Sequence, residues 1–395
     1  MPGFTSSQWQ KIDTELENNP NRYGLPIRRN KSVVIGSFNA LKLGSSKNAD
    51  KRWEFLRNIA SRFDLLAIQE VMDELSGIRR LHQSLGSSYR LVVSDTTGAF
   101  PGDPGLRERL AFLYRPSRIE LRELVSDISY DRSRIVETVR VDIDTWKQFF
   151  HDIDHENELR VQEGKKPKSL SQYAHPAFTT FIRTPHCASF AIKPRGNAKP
   201  VEFLAINAHT LYGKSKTERN REFFALLDWI IQRARSSKRM YFKNMIVMGD
   251  LNMQFGDATI RRSEIIQKLH QLESNLLTGD DAARANFPFL DVHPSMQSLF
   301  HTNARKKETF DHIALFIDEH EKGLPTTTDN RQAGQNGKDG YDYGVFDFTE
   351  LFSQVIHGKL LDDLSSSQIS ALLSRVNADV SDHMPIWARI PIPGV

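Results

Sequence analysis

Side chains of the kinds that bind metal ions and transfer protons recur beside the apolar segments of this chain. Asn39 ends one apolar run, Glu70 ends the next, and His209 follows a third. Because polar residues at the ends of buried strands tend to point into a shared cleft, we expect them to form one site. The full set beside strand ends comprises Asn39, Glu70, His209, Asp250, Asn252, Asp311, Asp382 and His383.

Each member of this set also has a purely structural interpretation. An Asn or Asp after a strand is usually turn chemistry. His209 by itself is more often a hydrogen-bonded structural residue than a catalytic one, since histidine has many roles. Glu70 by itself could be a carboxylate at a helix start, where the helix dipole favours it. The functional interpretation therefore depends on the concentration of these residues rather than on any single one.

The residue types suit hydrolysis of a phosphodiester. Oxygen ligands such as Glu70, Asn39 and Asp382 can hold Mg²⁺, with Mn²⁺ or Ca²⁺ as other candidates. A metal ion polarises a phosphoryl oxygen, and an imidazole beside it transfers a proton near neutral pH. Asp250 and Asn252 stand two residues apart, which places both side chains on the same side of an extended segment.

The elements that must position these residues are short strands and amphipathic helices. A helix is predicted over 50–61 and another over 215–235, where Phe223, Leu226, Leu227, Ile230 and Ile231 share a face. Many strands with several helices favour a layered α/β domain. The predicted strands are 32–38, 64–69, 90–94, 110–114, 201–207, 244–249, 310–317 and 384–391.

The chain shows no linker that would separate two domains. We expect an N-terminal extension over 1–30 and a single domain over 31–395. Two segments look inserted into that domain. The one near 131–170 is highly charged and predicted to be helical, and the one near 322–344 is rich in Gly, Asn, Asp and Thr and predicted to be a loop. Either insertion could carry a protein partner.

Composition excludes several classes of protein. The single cysteine, Cys187, allows neither an intramolecular disulfide nor a zinc site built from cysteines. No apolar run is long enough to cross a membrane, and no signal-peptide pattern is seen, so the expected location is a reducing cytoplasm. A net charge of +4 and a pI near 9.0 are only weak support for a nucleic-acid partner.

Six blocks of sequence resemble the endonuclease/exonuclease/phosphatase superfamily, and within it the deoxyribonuclease I branch. The combination of MGDLN with an upstream QE and a downstream SDH is specific, and the likeness runs from about residue 33 to 392. KETFDHIALF and VFDFTELF also match. The six blocks are SFNALKL, LLAIQEV, RERLAFLYRP, INAHTLYG, IVMGDLNM and SDHMPIW.

The resemblance implies a fold and a set of roles. The fold is a four-layered α/β sandwich with two mixed β-sheets packed face to face and helices outside. The metal ligands are Glu70 and Asn39, with Asp382 as a metal or water-orienting carboxylate. The two catalytic imidazoles are His209 paired with Glu108, and His383 paired with Asp250 or Asp311, and Asn252 is a phosphate ligand.

The chain departs from deoxyribonuclease I at positions that grip the DNA duplex. Met72 stands where that branch has an Arg that enters the minor groove, and Leu106 stands where it has a Tyr that stacks on a sugar. His175 stands where an Arg is expected before a mid-chain strand. Candidate phosphate contacts are Lys47, Arg52, Lys165, Lys166, Lys168, Lys214, Lys216, Arg305, Lys306 and Lys307.

The leading hypothesis is a metal-dependent phosphodiesterase, specifically a DNA endonuclease. The second is a phosphatase or phosphodiesterase that acts on a lipid or small phosphoester, because the superfamily uses one core for such substrates. The third is a binding module without catalysis, which the retained histidines and carboxylates argue against. Neither the form of the nucleic acid nor the separate roles of the two histidines follow from the sequence.

Overall fold

Two six-stranded sheets form the centre of the molecule in this computed structural model. The structure describes residues 3–44, 51–97, 107–129, 132–173, 181–210, 244–252, 283–289, 301–318 and 343–395, with scattered positions between 222 and 242. The predicted loop 322–344 lies outside these residues up to 342, and Tyr343 and Gly344 already belong to a strand.

The first sheet has the strand order β11-β12-β1-β2-β4-β3. β1 and β2 run parallel and their other neighbours are antiparallel, so the sheet is mixed. Its strands are β1 (Ser32–Leu43), β2 (Leu65–Met72), β3 (Arg90–Val93), β4 (Glu108–Tyr114), β11 (Tyr343–Val345) and β12 (Ile386–Pro391).

The second sheet has the order β5-β6-β7-β8-β10-β9. It is also mixed, because β7 and β8 are parallel while β8 and β10 are antiparallel. Its strands are β5 (Ile119–Asp127), β6 (His186–Ile192), β7 (Val201–His209), β8 (Met245–Asp250), β9 (Ala283–Asn286) and β10 (Asp311–Asp318).

Helices cover the outer faces of the sheets. The α-helices with stated bounds are α1 (Ser6–Asn18), α2 (Trp53–Ala60), α3 (Ser76–Leu85), α4 (Arg132–Val141), α5 (Ile143–Gln162), α6 (Phe348–His357) and α7 (Ser366–Asp379). Short 3₁₀ turns lie at Pro20–Tyr23, Gly86–Ser88, Leu170–Gln172 and Leu361–Asp363. The described positions between 222 and 233 are helical, and Phe223, Leu226, Leu227 and Ile230 are buried there, as their spacing predicts.

Three apolar clusters separate the layers. One lies between the first sheet and helices α1, α2, α3, α6 and α7, and includes Phe55 and Phe352. The second lies between the two sheets and includes Phe112 and Phe190. The third lies between the second sheet and the helical positions near 226. The predicted four-layered sandwich is therefore confirmed, and the burial of consecutive residues in the central strands agrees with it, since each sheet has two covered apolar faces.

The N-terminal helix packs into the core, and the insertion contains two helices. Trp9, Ile12 and Leu16 of α1 are buried in the first apolar cluster. Residues 132–162 form the two helices α4 and α5, in agreement with the predicted helical excursion. The division into an extension over 1–30 and a single domain stays a prediction, as does a protein partner on the insertions.

No α-helix among the described residues is both long and apolar enough to span a bilayer. This finding concerns the described helices alone.

The packing of α1 yields a first prediction. The Trp9 ring contacts those of Phe55 and Phe352, at centroid distances of 5.5 and 5.4 Å. We expect Trp9→Ala to lower the free energy of unfolding by about 3–5 kcal/mol, because it removes a buried aromatic ring from a filled core. Urea unfolding measures this, with the exposed Lys11→Ala as control. An unchanged free energy would show that α1 is dispensable for the domain.

Candidate functional site

The alternation of side chains along the strands brings the site residues into the space between the sheets. Odd-numbered residues of β7 and even-numbered residues of β4 and β8 face the other sheet, as shown by the apolar cluster between the sheets. His209, Glu108 and Asp250 continue these rows at one end of the sandwich. His209 is the cross-strand partner of Asp250, and Asp250 is that of Asp311.

Polar contacts tie the two sheets together directly beneath this end. The Asn207 amide donates hydrogen bonds to the carbonyl oxygens of Ile68 and Ala111, at 3.1 and 2.9 Å. Gln69 Nε2 donates to Asn207 Oδ1 at 2.7 Å. Both polar side chains are fully buried. Because the hydrogen bonds satisfy these groups, they offset the cost of removing the amides from water and hold β7 against β2 and β4.

Irregular backbone turns the first-sheet residues toward the site. The pairing of β1 with β2 is interrupted after Asn39, and the pairing of β2 with β4 is interrupted after Ile68. Glu70 has a φ of 55°, in the left-handed region that non-glycine residues rarely adopt. A bulge of this kind re-aims a side chain. Glu70 Oε1 consequently accepts a hydrogen bond from Asn39 Nδ2 at 3.0 Å, although regular alternation would place the two on opposite faces.

Left-handed backbone also occurs next to other members of the site. Arg107, directly before Glu108, has a φ of 50°, and Asn252 has a φ of 47°. Backbone strain of this kind costs of the order of 1–3 kcal/mol per residue and clusters at functional sites. Gly249 meets a different constraint, since a Cβ there would lie 1.8 Å from the carbonyl oxygen of Ala208. Glycine at 249 thus allows the close approach that pairs β7 with β8.

Asp250 lies at the centre of the site. Its Oδ2 atom is 3.5 Å from the Nε2 atoms of both His209 and His383, and it accepts a hydrogen bond from Asn39 Nδ2 at 3.0 Å. Its Oδ1 accepts a hydrogen bond from the backbone of Asn252 at 3.0 Å. Burial by itself would raise the pKa of Asp250, but the adjacent imidazoles and these donors outweigh it, so the pKa is lowered.

Each imidazole has a second carboxylate at its other nitrogen. His383 Nδ1 lies 2.9 Å from Asp311 Oδ2, and His209 Nδ1 lies 3.3 Å from Glu108 Oε2. The second contact is at ion-pair distance without a well-aligned hydrogen bond. Burial tends to lower the pKa of His383, but Asp311 and Asp250 overcome it and raise the pKa well above its usual value. Of the two partners predicted for His383, the structure therefore shows contacts with both.

Arg183 is a residue of the site that the sequence analysis missed. Its guanidinium forms an ion pair with Glu108 and donates to the carbonyl oxygen of Thr210 at 3.3 Å. Burial would raise the pKa of Glu108, but His209 and Arg183 outweigh it and lower the pKa to about 2. His175, which stands where an arginine is expected, lies outside the described residues, as does Leu106.

The residues predicted to bind a metal ion are Asn39, Glu70 and Asp382, the last of which lies in the turn before β12. Asn39 Oδ1 accepts from the backbone of Leu41, and Glu70 Oε2 from that of Lys42, each at 3.0 Å. Asp382 is half-buried, and its Oδ1 is a buried atom without a hydrogen-bond partner among the described residues. An oxygen left without a donor fits a place for a cation. Together these residues offer the hard oxygen ligands that Mg²⁺ prefers.

A second group could also hold a metal ion. One potential ligand atom from each of Asp250, Asp311 and His383 lies within 4.8 Å of the others. Among the described residues, these three form the one group of at least three His, Cys, Asp or Glu residues that is close enough to share a metal ion. Asp311 Oδ1 is buried and has no hydrogen-bond partner there. The geometry is therefore compatible with a cation on either side of Asp250.

Asn252 and several of the predicted cationic contacts have partners within the chain. The Asn252 amide donates to the carbonyl oxygen of Thr210 at 2.9 Å, so its side chain is held by the backbone. Several predicted phosphate contacts form ion pairs within the chain: Arg52 with Glu54, Lys165 with Glu163, Lys168 with Glu156, and Lys306 with Asp347. Lys47, Lys214 and Lys216 lie outside the described residues.

Arg305 and Lys307 are the predicted cations that are both exposed and near the site. They belong to the segment whose Asn303 forms a β-bridge with His383. Met72 is half-buried and is the cross-strand partner of Glu108. The methionine therefore stands beside the site without the charge that an arginine would bring there.

Comparisons with known proteins give low similarities. No family model matches the chain. A deoxyribonuclease of Thioalkalivibrio sp. (strain K90mix) is 35% identical over 100 residues, which are 24% of this chain and 26% of that protein. The chain thus matches about a quarter of the length of this curated relative.

The chain is also similar to solved structures over most of its length. D. rerio TDP2 complexed with single-strand DNA product is 13% identical, with a TM-score of 0.46 over 91% of this chain and 98% of that one. The catalytic domain of human Nocturnin with bound sulfate is 12% identical, with a TM-score of 0.41 over 91% and 94%.

An endonuclease/exonuclease/phosphatase family protein from Bacteroides thetaiotaomicron is 14% identical, with a TM-score of 0.42 over 92% of this chain and 98% of that one. At these values function has to be argued from the side chains of this chain. In the order of its site residues the chain resembles the endonuclease/exonuclease/phosphatase superfamily.

Proposed function

We propose that the protein is a metal-dependent phosphodiesterase and that its substrate is DNA. The observation that carries this proposal is the arrangement around Asp250, where two imidazoles face one carboxylate oxygen at 3.5 Å and each has its own carboxylate at Nδ1. A carboxylate at Nδ1 fixes the tautomer and orientation of an imidazole. Two imidazoles oriented in this way suit a reaction that needs one general base and one general acid.

The chain's own residues perform the following steps in the proposed reaction. His209 and His383 present their Nε2 atoms to the same point, so one takes a proton from the attacking water and the other gives a proton to the leaving oxygen. Asp250 orients the water between them, and Arg183 keeps Glu108 ionised behind His209. A divalent cation held by Glu70, Asn39 and Asp382 would polarise a phosphoryl oxygen and offset its developing charge.

Mg²⁺ is the proposed ion, and Mn²⁺ or Ca²⁺ could take its place, because all proposed ligands are oxygen atoms. Nucleic acid is favoured over a small phosphoester by Arg305 and Lys307, two exposed cations on the segment that is bridged to His383. Phosphate contacts of this kind position a polyanion without reading its bases. Met72, half-buried beside Glu108, has no charge to place in a minor groove. It therefore supports DNA contacts different from those of an arginine at this position.

The two histidines give the most direct test of catalysis. We expect purified protein to nick supercoiled plasmid in Mg²⁺ and to lose this activity in EDTA. His209→Ala and His383→Ala should each lower the rate by about 10²–10⁴-fold, as for a general acid or base. His357→Ala, at the end of α6, serves as the matched control. Full activity in both site variants would contradict the proposal.

The pairing of Glu108 predicts a dependence of stability on pH. Its pKa is lowered in the folded protein to about 2, from a usual 4.5. The stabilisation is therefore present above about pH 4.5 and is lost as the pH falls toward 2. We expect Glu108→Gln to be less stable than the unaltered protein at pH 7, with the gap narrowing below pH 4.5. Urea unfolding at several pH values measures this, and a gap that stays constant would refute the proposed ion pair.

Salt dependence separates a nucleic acid from a small phosphoester. We expect plasmid cleavage to fall steeply between about 50 and 300 mM salt, because each phosphate contact releases counterions. Arg305→Glu with Lys307→Glu should weaken plasmid binding and flatten that salt slope. The exposed pair Lys193→Glu with Lys199→Glu, at the opposite end of the second sheet, is the charge-matched control. Hydrolysis of a small phosphoester, with none of plasmid, single strands or RNA, would favour the alternative of a lipid or small-phosphoester phosphatase.

A further inference from the structure

A buried lysine lies against the turn that carries Asp382, one of the proposed metal ligands. Lys51 precedes α2, and only 3% of its surface is exposed. Its ammonium donates a hydrogen bond to the carbonyl oxygen of Val380. A lysine is almost never fully buried unless a partner compensates its charge, because removing an ammonium ion from water is costly. The buried ammonium of Lys51 therefore needs negative charges nearby that compensate its own charge.

The negative charges that act on Lys51 include two of the proposed metal ligands. Burial lowers the pKa of the Lys51 ammonium to about 8, while Asp382, Glu70 and Asp379 oppose this shift. Glu70 comes from β2 and Asp382 from the turn before β12. The buried cation thus lies against the turn that leads to Asp382, and Ser381 links this turn through Asn39 to Glu70.

Hydrogen bonds fix the lysine against the turn that carries Asp382. The backbone nitrogen of Arg52 donates to the carbonyl oxygen of Asp379 at 2.8 Å, next to the Val380 contact of Lys51. Ser381 Oγ in turn donates to the carbonyl oxygen of Asn39 at 2.7 Å. The ammonium is consequently held against the turn that carries Asp382, and it is not a mobile surface charge.

We propose that Lys51 is a resident counter-ion, which balances Glu70 and Asp382 when no metal ion is bound and thereby sets the affinity of the site for a divalent cation. This inference deepens the proposed function, since it rests on Glu70 and Asp382 being metal ligands. Like-charged carboxylates that share a site repel each other, and a fixed ammonium offsets that repulsion. The same ammonium repels an incoming divalent cation, so it weakens metal binding.

The test compares Lys51→Met, which removes the charge, with Lys51→Arg, which keeps it. The exposed Lys193→Met, at the far end of β6, is the control. Each protein is melted in EDTA and in saturating Mn²⁺, and its Mn²⁺ affinity is measured by calorimetry. We expect Lys51→Met to melt lower in EDTA, to gain more from Mn²⁺ than the unaltered protein, and to bind Mn²⁺ about five times more tightly, while Lys51→Arg and Lys193→Met change neither quantity.

A merely structural lysine would give another pattern. In that case Lys51→Met would lower both melting temperatures equally and leave the Mn²⁺ affinity unchanged, which would overturn the proposal, as would weaker Mn²⁺ binding. Lys51→Gln keeps a donor for Val380 and provides a neutral variant should Lys51→Met not fold. Mn²⁺ binding that Glu70→Gln leaves unchanged would also overturn it. These readouts measure metal binding alone, so a failure of plasmid cleavage, which concerns the proposed function, is recognised separately.

Discussion

The hydrogen bonds of Asn207 are the constraint on which the site depends. The side chain belongs to the second sheet, yet it is bonded to the backbone of two strands of the first sheet and to Gln69. These hydrogen bonds fix the position of β7, along the strand direction, relative to β2 and β4. Two residues further along β7, His209 can then meet Glu108 from the opposite sheet. Apolar packing between sheets is non-directional, so it would not select this register alone.

The irregular backbone of the first sheet follows from the same arrangement. A regular β2 would place Gln69 and Glu70 on opposite faces, but the site needs Gln69 for the bond to Asn207 and Glu70 for the contact with Asn39. The bulge at Glu70 resolves this conflict, and its left-handed φ is the local cost. The backbone strain at Glu70 in β2 therefore accompanies the hydrogen bonds of Gln69 and Asn207 that link the two sheets.

Much of the fold could be predicted from the sequence, because apolar runs marked most of the central strands and their polar ends. The runs before Asn39 and Asp250 correspond to strands that the structure contains. The strands β5 and β6 were not predicted, and in the edge strand β5 the alternation is interrupted by charged residues. Arg183 and Lys51 could not be found from periodicity, because each becomes part of the site only through contacts with residues remote in sequence. The short Arg-Thr-Pro segment before β6 was the one available signal for Arg183.

The helical insertion leaves and rejoins the second sheet at adjacent strands. Asp127 at the end of β5 is the cross-strand partner of His186 at the start of β6, and His186 is in turn the partner of Asn207. The two ends of the intervening segment are therefore separated only by the width of a hairpin. A segment joined in this way can be shortened, lengthened or exchanged without changing the strand ladder. Arg183, near the end of this segment, is paired with Glu108, so only the part that precedes it can vary while the contacts around Glu108 stay intact.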